Sequence, residues 1–520
     1  MLGKQRQKSN FVKHFSLRSN GFVVLFDFAK QLIANALMIN CRAGFCQLLS
    51  IFFMNKSPLF RTFSSLEKHE RRQLRKFVRS SFFNQREDVV RLFDHLDKQM
   101  DNGGHQLSKA QVFAKVFPDE PYDDSRLRHA MSFLMQCIRE YLIWSEVGRS
   151  EFERQLYLAR SLRRRGIEDQ FQRTLDRAEV EASQLLNADR HLQLFQLQSE
   201  RYHAAIRQQR RGEMGLQRLA NEFANYFAAN LLRQACGIAT HQSMTKQAYD
   251  IPLLAEVLAK VEAGEFADIP AVQLYFHAYL AQQTLENEQH FRALRALLEK
   301  HWRDFPTTEA RDLFLLAINF CIKKLNSGVA DFRRDVFDLY RSGLEKEVLL
   351  TEGVISPFTY NNVLNSALLV DEWDWAAGFL EKFKPRLPEA ERENTYHFNL
   401  ANLFFRKKDY ERAMDLLRQV EFKDKLHNLD ARRMLLRMYY ETEALDALES
   451  LLDSFEIYIR RQKDLGYHGE NYLNLIRLTR KLLQLTRTDK DAREKLATEI
   501  MQTKSLAERE WLLEKIKEAL

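Results

Sequence analysis

Glycine and proline are scarce in this chain, at 17 and 9 of 520 residues. These two residues punctuate hairpins and tight turns. Their shortage excludes a fold of many short strands and predicts long helices joined by short loops. Cysteine is scarce as well: Cys41, Cys46, Cys137, Cys236 and Cys321. They form no Cys-x-x-Cys pair and no Cys/His set with zinc spacing. That excludes a disulfide scaffold and implies a reducing compartment, with the cytoplasm expected. The chain also lacks the phosphate-cradling GxxxxGK[ST] loop, GxGxxG, HExxH and the GxSxG elbow. No catalytic residue, cofactor or metal is therefore expected. An enzyme whose site is assembled from distant residues remains an alternative, because triads are spatial rather than sequential.

Long apolar runs are missing too. In residues 1–53, Asp27, Lys30 and Arg42 interrupt the hydrophobic stretches, and the longest uncharged run is Ala43–Asn55. A membrane helix needs roughly 18 or more apolar residues, so no integral span is expected. No compact signal-peptide core is visible either. This segment reads as a leader upstream of a true start at Met54, with a cleaved or anchoring segment as the alternative. It holds seven basic residues and one acidic residue. It therefore supplies +6 of the formal net charge of +8, and the body is nearly neutral. A basic balance confined to the leader weakens the case for a nucleic-acid partner.

What is abundant is helix-compatible. Hydrophobic residues make up 45% and charged residues 29%, with 38 Phe and 17 Tyr. Mixed charges suit solvated helix faces. Residues 54–147 predict a helical head. Ser64-x-x-Glu67, Asn84-x-x-Glu87 and Ser108-x-x-Gln111 have the form of N-terminal capping boxes. The first would open a helix over Ser65–Arg79. A longer helix is predicted over Ser125–Trp144, with Leu127, Met131, Leu134, Ile138, Tyr141 and Leu142 on one stripe. Residues 148–263 read as further helices, with turns at Gly212 and across Gly237–Asp250. Residues 264–489 hold helix pairs of repeat size. Residues 490–520 read as capping helices, the last opened by Ser505-x-x-Glu508.

Within residues 264–489 a pattern recurs. In residues 399–420, Ala401 and Phe404 lie on one face of a first helix, and Tyr410, Ala413 and Leu417 on one face of a second. Upstream, Leu364, Ala367, Trp373, Ala376 and Leu380 fall in the same order. Downstream, Leu436, Tyr439, Leu448 and Leu452 do. First-helix anchors at 364, 401 and 436 and second-helix anchors at 376, 413 and 448 advance by the same steps, 37 and 35 residues. A poorer copy lies at Tyr275–Trp302. Small residues opposed across the pair, followed by an aromatic, resemble the tetratricopeptide repeat, whose period is roughly 34 residues. The resemblance covers residues 355–460. It implies an all-α superhelix of antiparallel helix pairs, with these residues as packing rather than chemistry. It also implies a non-enzymatic interaction scaffold that presents a helical surface to a protein or peptide. A generic stack of helix hairpins is the alternative.

One competing class deserves named residues. Lys68, Arg72, Arg75, Lys76 and Arg79 share roughly one face of the predicted Ser65–Arg79 helix, a candidate anion or nucleic-acid contact. Glu67 and Glu70 beside them equally suit a solvated face. A helix-turn-helix over residues 108–144 is disfavoured by the seven-residue link Pro118–Asp124, longer than the usual turn of about three or four. Residues 356–370 look like the first helix of a pentatricopeptide repeat, without tandem copies.

Overall fold

The computed structural model describes residues 54–103, 107–208, 214–245, 247–420, 425–462, 465, 467–485 and 490–518. The leader expected over residues 1–53 and the turn expected at Gly212 lie outside these. The regular structure of the described residues is all helical, apart from one isolated bridge, Thr351 to Val354. None of their helices is long and apolar enough to cross a membrane. The chain divides into two compact units at Leu158/Ala159.

The first unit holds α1 (Pro58–Ser64), α2 (Lys68–Val78), α3 (Glu87–Asp101), α4 (Lys109–Val116) and α5 (Asp124–Arg149). The division falls inside α6 (Glu151–Arg165). The first predicted capping box is not the one that forms. Ser64 ends α1, and Glu67 is the N-cap of α2, its N–H donating to the Glu70 carboxylate at 2.9 Å. Pro58 explains the shift: it favours the first turn of an earlier helix, capped by Ser57. Asn84 accepts from the Arg86 N–H at 3.0 Å and donates to the Val78 carbonyl at 2.9 Å, joining the end of α2 to the start of α3. Along α5 the buried stripe is Leu127, Ala130, Leu134, Cys137, Ile138 and Tyr141. Leu142, expected on that stripe, is exposed, because it stands about 100° around the helix from Tyr141, off the buried face.

The second unit continues with α7 (Glu168–Ala182), α8 (Ala188–Gln208), α9 (Leu216–Thr245), α10 (Leu254–Glu262), α11 (Pro270–Gln283), α12 (Gln289–His301), α13 (Thr307–Asn326) and α14 (Phe332–Glu345). It ends with α15 (Pro357–Leu368), α16 (Trp373–Phe383), α17 (Arg392–Arg406), α18 (Tyr410–Arg418), α19 (Lys425–Glu441), α20 (Leu445–Arg461), α21 (Tyr467–Leu483), α22 (Lys490–Gln502) and α23 (Arg509–Glu518). From α11 onward each helix packs on the next. Next-but-one contacts join α9, α11 and α13, then α15, α17 and α19, then α21 and α23. The turn expected at Gly237 is absent: α9 runs through it to Thr245. Buried Ala235, Cys236 and Ala239 surround that glycine, and burying this face outweighs the roughly 1 kcal/mol helix cost of glycine.

Three helix pairs turn in the same way. Between α15 and α16, α17 and α18, and α19 and α20, the chain passes through a left-handed residue: Asp371, Lys408 and Glu443. The next N–H reaches back five residues, Glu372 to Ala367, Asp409 to Phe404 and Ala444 to Tyr439, at 2.9–3.0 Å. This is the helix-ending arrangement in which a left-handed residue frees the chain to satisfy the last carbonyls. The three turns advance by 37 and 35 residues, the same steps as the sequence pattern. Gly328, between α13 and α14, makes the same turn with Val329 donating to Lys324.

Candidate interaction cleft

The residues of the repeat pattern are interior. Leu364, Ala367, Ala376, Leu380, Ala401, Ala413, Leu417, Leu436, Leu448 and Leu452 are buried. Trp373, Phe404, Tyr410 and Tyr439 are half-buried. They hold helices together and leave the chemistry to other positions.

A concavity of about 600 Å³ opens between α9, α11 and α13. Arg233 projects from α9, Tyr275 from α11 and Glu309 from the first turn of α13, where a carboxylate suits the helix dipole. Glu309 is only 11% exposed in its side chain and is well held. The Tyr275 hydroxyl donates to Oε1, and Asn187 Nδ2 donates to Oε2 at 2.9 Å. Arg233 lies 3.9 Å from Glu309 and 3.4 Å from Asp189, and donates to Asn230 at 2.8 Å. Burial works against the Arg233 charge, but the Asp189 and Glu309 carboxylates outweigh it and raise its pKa. Burial, with Glu309 alongside, pushes the Tyr275 phenol well above its ordinary range.

Burial pushes the Cys236 thiol up to about 12. It therefore stays protonated at neutral pH, without the depressed pKa of a nucleophilic cysteine. Leu313, Leu315 and Leu316 supply the apolar wall, and Asp189 and Asp312 the acidic rim. Apolar walls with a few convergent polar groups are what a binding cleft requires. No motif marks this cluster: Arg233 and Glu309 are 76 residues apart and meet only through helix stacking.

A second guanidinium–carboxylate cluster closes the far end of the unit. Arg433 and Arg437, one turn apart on α19, both donate to Glu508, Arg437 at 2.7 Å. Trp511 Nε1 and Lys515 Nζ donate to Glu441 at 2.8 Å each. The box expected at Ser505/Glu508 does not form. Glu508 adopts a left-handed φ of 57° and turns its carboxylate to the two arginines instead. Burial opposes its charge, yet Arg433 and Arg437 hold the carboxyl below its usual range.

In the first unit, α2 divides the predicted basic cluster. Arg75 pairs with Asp97 and Asp94, and Arg79 with Asp94 at 2.8 Å. Arg71 pairs with Asp97 and Asp101 at 2.7 and 2.8 Å. Lys68, Arg72 and Lys76 stay exposed. His277 meets His290 at 2.9 Å. Among the described residues no group of three or more His, Cys, Asp or Glu could hold a metal. No family model matches this chain, and neither the curated proteins nor the solved structures include one similar to it.

Proposed function

We propose that this protein is a non-enzymatic helical-repeat scaffold of tetratricopeptide-like architecture. Its second unit holds a protein or peptide partner in the cleft between α9, α11 and α13. The observation that carries this reading is the cleft itself: about 600 Å³, walled by leucines and rimmed by Asp189, Arg233, Glu309 and Asp312. The recurring turns at Asp371, Lys408 and Glu443 support the repeat architecture, because they advance by 37 and 35 residues, as the packing positions do. The buried thiols of Cys137, Cys236 and Cys321, none in a disulfide, support a cytoplasmic setting.

The test is affinity purification of the tagged chain from its own cells after nuclease treatment, beside a double variant Asp189→Lys, Asp312→Lys. Both side chains are more than half exposed, so folding should survive. A partner retained by the wild type and lost from the variant supports the cleft. A partner set unchanged by the variant, or abolished by nuclease, overturns it.

A further inference from the structure

The first unit carries a surface feature that the cleft does not use. Once Arg71, Arg75 and Arg79 are paired to α3, the remaining cations of α2 are Lys68, Arg72 and Lys76. They are exposed and lack an ion-pair partner among the described residues. Their spacing is i, i+4, i+8, a row about 12 Å long at 1.5 Å per residue. At 3.6 residues per turn each step rotates by about 40°. The row therefore veers toward the Phe77 flank of α2.

That flank leads to an open aromatic cluster. Phe77 stacks on Phe83 with centroids 3.7 Å apart, Phe82 meets Phe83 edge-on at 4.9 Å, and Phe83 meets Trp144 at 6.2 Å. Phe82 is 84% exposed and Trp144 60%. Adjacent exposed apolar side chains of this size mark a binding surface rather than a solvated face. The exposed acid beside the row is Glu67, and it faces His69 at 3.2 Å.

We propose that this row and the rings at its end form a docking surface for single-stranded nucleic acid. A row of point cations matches a linear polyanion, each neutralised phosphate releasing counterions. Exposed rings offer stacking faces to unpaired bases, which a duplex keeps stacked internally. A planar anionic membrane would meet the rings but has no use for a one-dimensional row. The surface lies within the first unit and is independent of the cleft between α9, α11 and α13.

The experiment is fluorescence anisotropy of the full chain with a labelled oligothymidylate about 15 nucleotides long, between about 50 and 200 mM salt. Saturable binding should show a log–log salt slope of about −2, from three phosphates at about 0.7 each. Arg72→Gln with Lys76→Gln should reduce the slope to about −0.7. Trp144→Ala should weaken binding at least about five-fold without changing the slope. All of these side chains are exposed, so the variants should fold, with circular dichroism as the check. Absence of binding at the lowest salt overturns the proposal. So does a slope indifferent to the double variant. Sedimentation with phosphatidylserine-containing vesicles but no oligonucleotide binding overturns it in favour of a membrane.

Discussion

The second unit pairs guanidinium groups with carboxylates at several places, and two of these clusters are used differently. At the α9–α13 cleft, Arg233 stands 3.4 and 3.9 Å from its carboxylates, and solvent reaches the site. At the end of the unit, Arg433 and Arg437 are consumed by Glu508, whose side chain is 14% exposed beneath α23. Loosely paired charges beside open volume are free to be re-partnered. Tightly paired ones, covered by buried Trp511, Leu512 and Ile516, fasten the last helix. The lesson is that charge content alone does not mark a binding site; the space left beside it does.

That contrast can be broken by mutation. The largest effect should come from Glu508→Ala. It strands the mostly buried Arg437 and leaves Arg433 only Asp430, 3.4 Å away, and should cost about 3–5 kcal/mol in chemical denaturation. The matching change at the open cluster, Asp189→Ala, removes a solvated pair and should cost less than about 1 kcal/mol. Equal costs at the two sites would abolish the distinction between fastening and open clusters.

Glu309→Gln tests the intermediate case, since Glu309 is buried but lines the cleft. It deprives Tyr275 or Asn187 of an acceptor and should cost about 1–3 kcal/mol. A cost near zero would show that the cleft is more solvated than its geometry implies.

The contact between α11 and α12 should carry an acid sensitivity. Burial, reinforced by His290, lowers His277 on α11 to about 4, whereas the unfolded imidazole titrates near about 6.5. The folded state therefore takes up its proton later than the unfolded one. The stability contributed is fully present above about pH 6.5 and is lost as the pH falls toward 4. Thermal melts across that window should decline in the wild type and flatten in His277→Gln.

The smallest effect concerns the repeat turns shared by the helices between the two clusters. Lys408 holds a φ of 62°, which an L side chain adopts at a cost of about 1 kcal/mol. Lys408→Gly should relieve that strain and raise stability by up to about 1 kcal/mol in urea unfolding. The same change at exposed Lys407, in right-handed conformation, should not stabilise.

Sequence alone determined the helical class, because scarce glycine and proline with 3.6-residue apolar periodicity leave little else. It also held recurring packing positions such as Ala401 and Ala413, which the structure buries. The conformation of the turns between those helices was not legible: Asp371, Lys408 and Glu443 are not glycine, and only the backbone reveals that they are left-handed. The capping boxes at Ser64 and Ser505 misled for a related reason. Local hydrogen-bonding potential competes with Pro58 in one case and with distant arginines in the other. The cleft lay beyond sequence reasoning altogether. Asn187, Arg233, Tyr275 and Glu309 come from separate segments, and no local spacing constrains groups that meet only when α9, α11 and α13 stack. The division of the α2 cations into paired and free sets was likewise decided by tertiary structure, because it depends on which flank α3 covers with Asp94, Asp97 and Asp101.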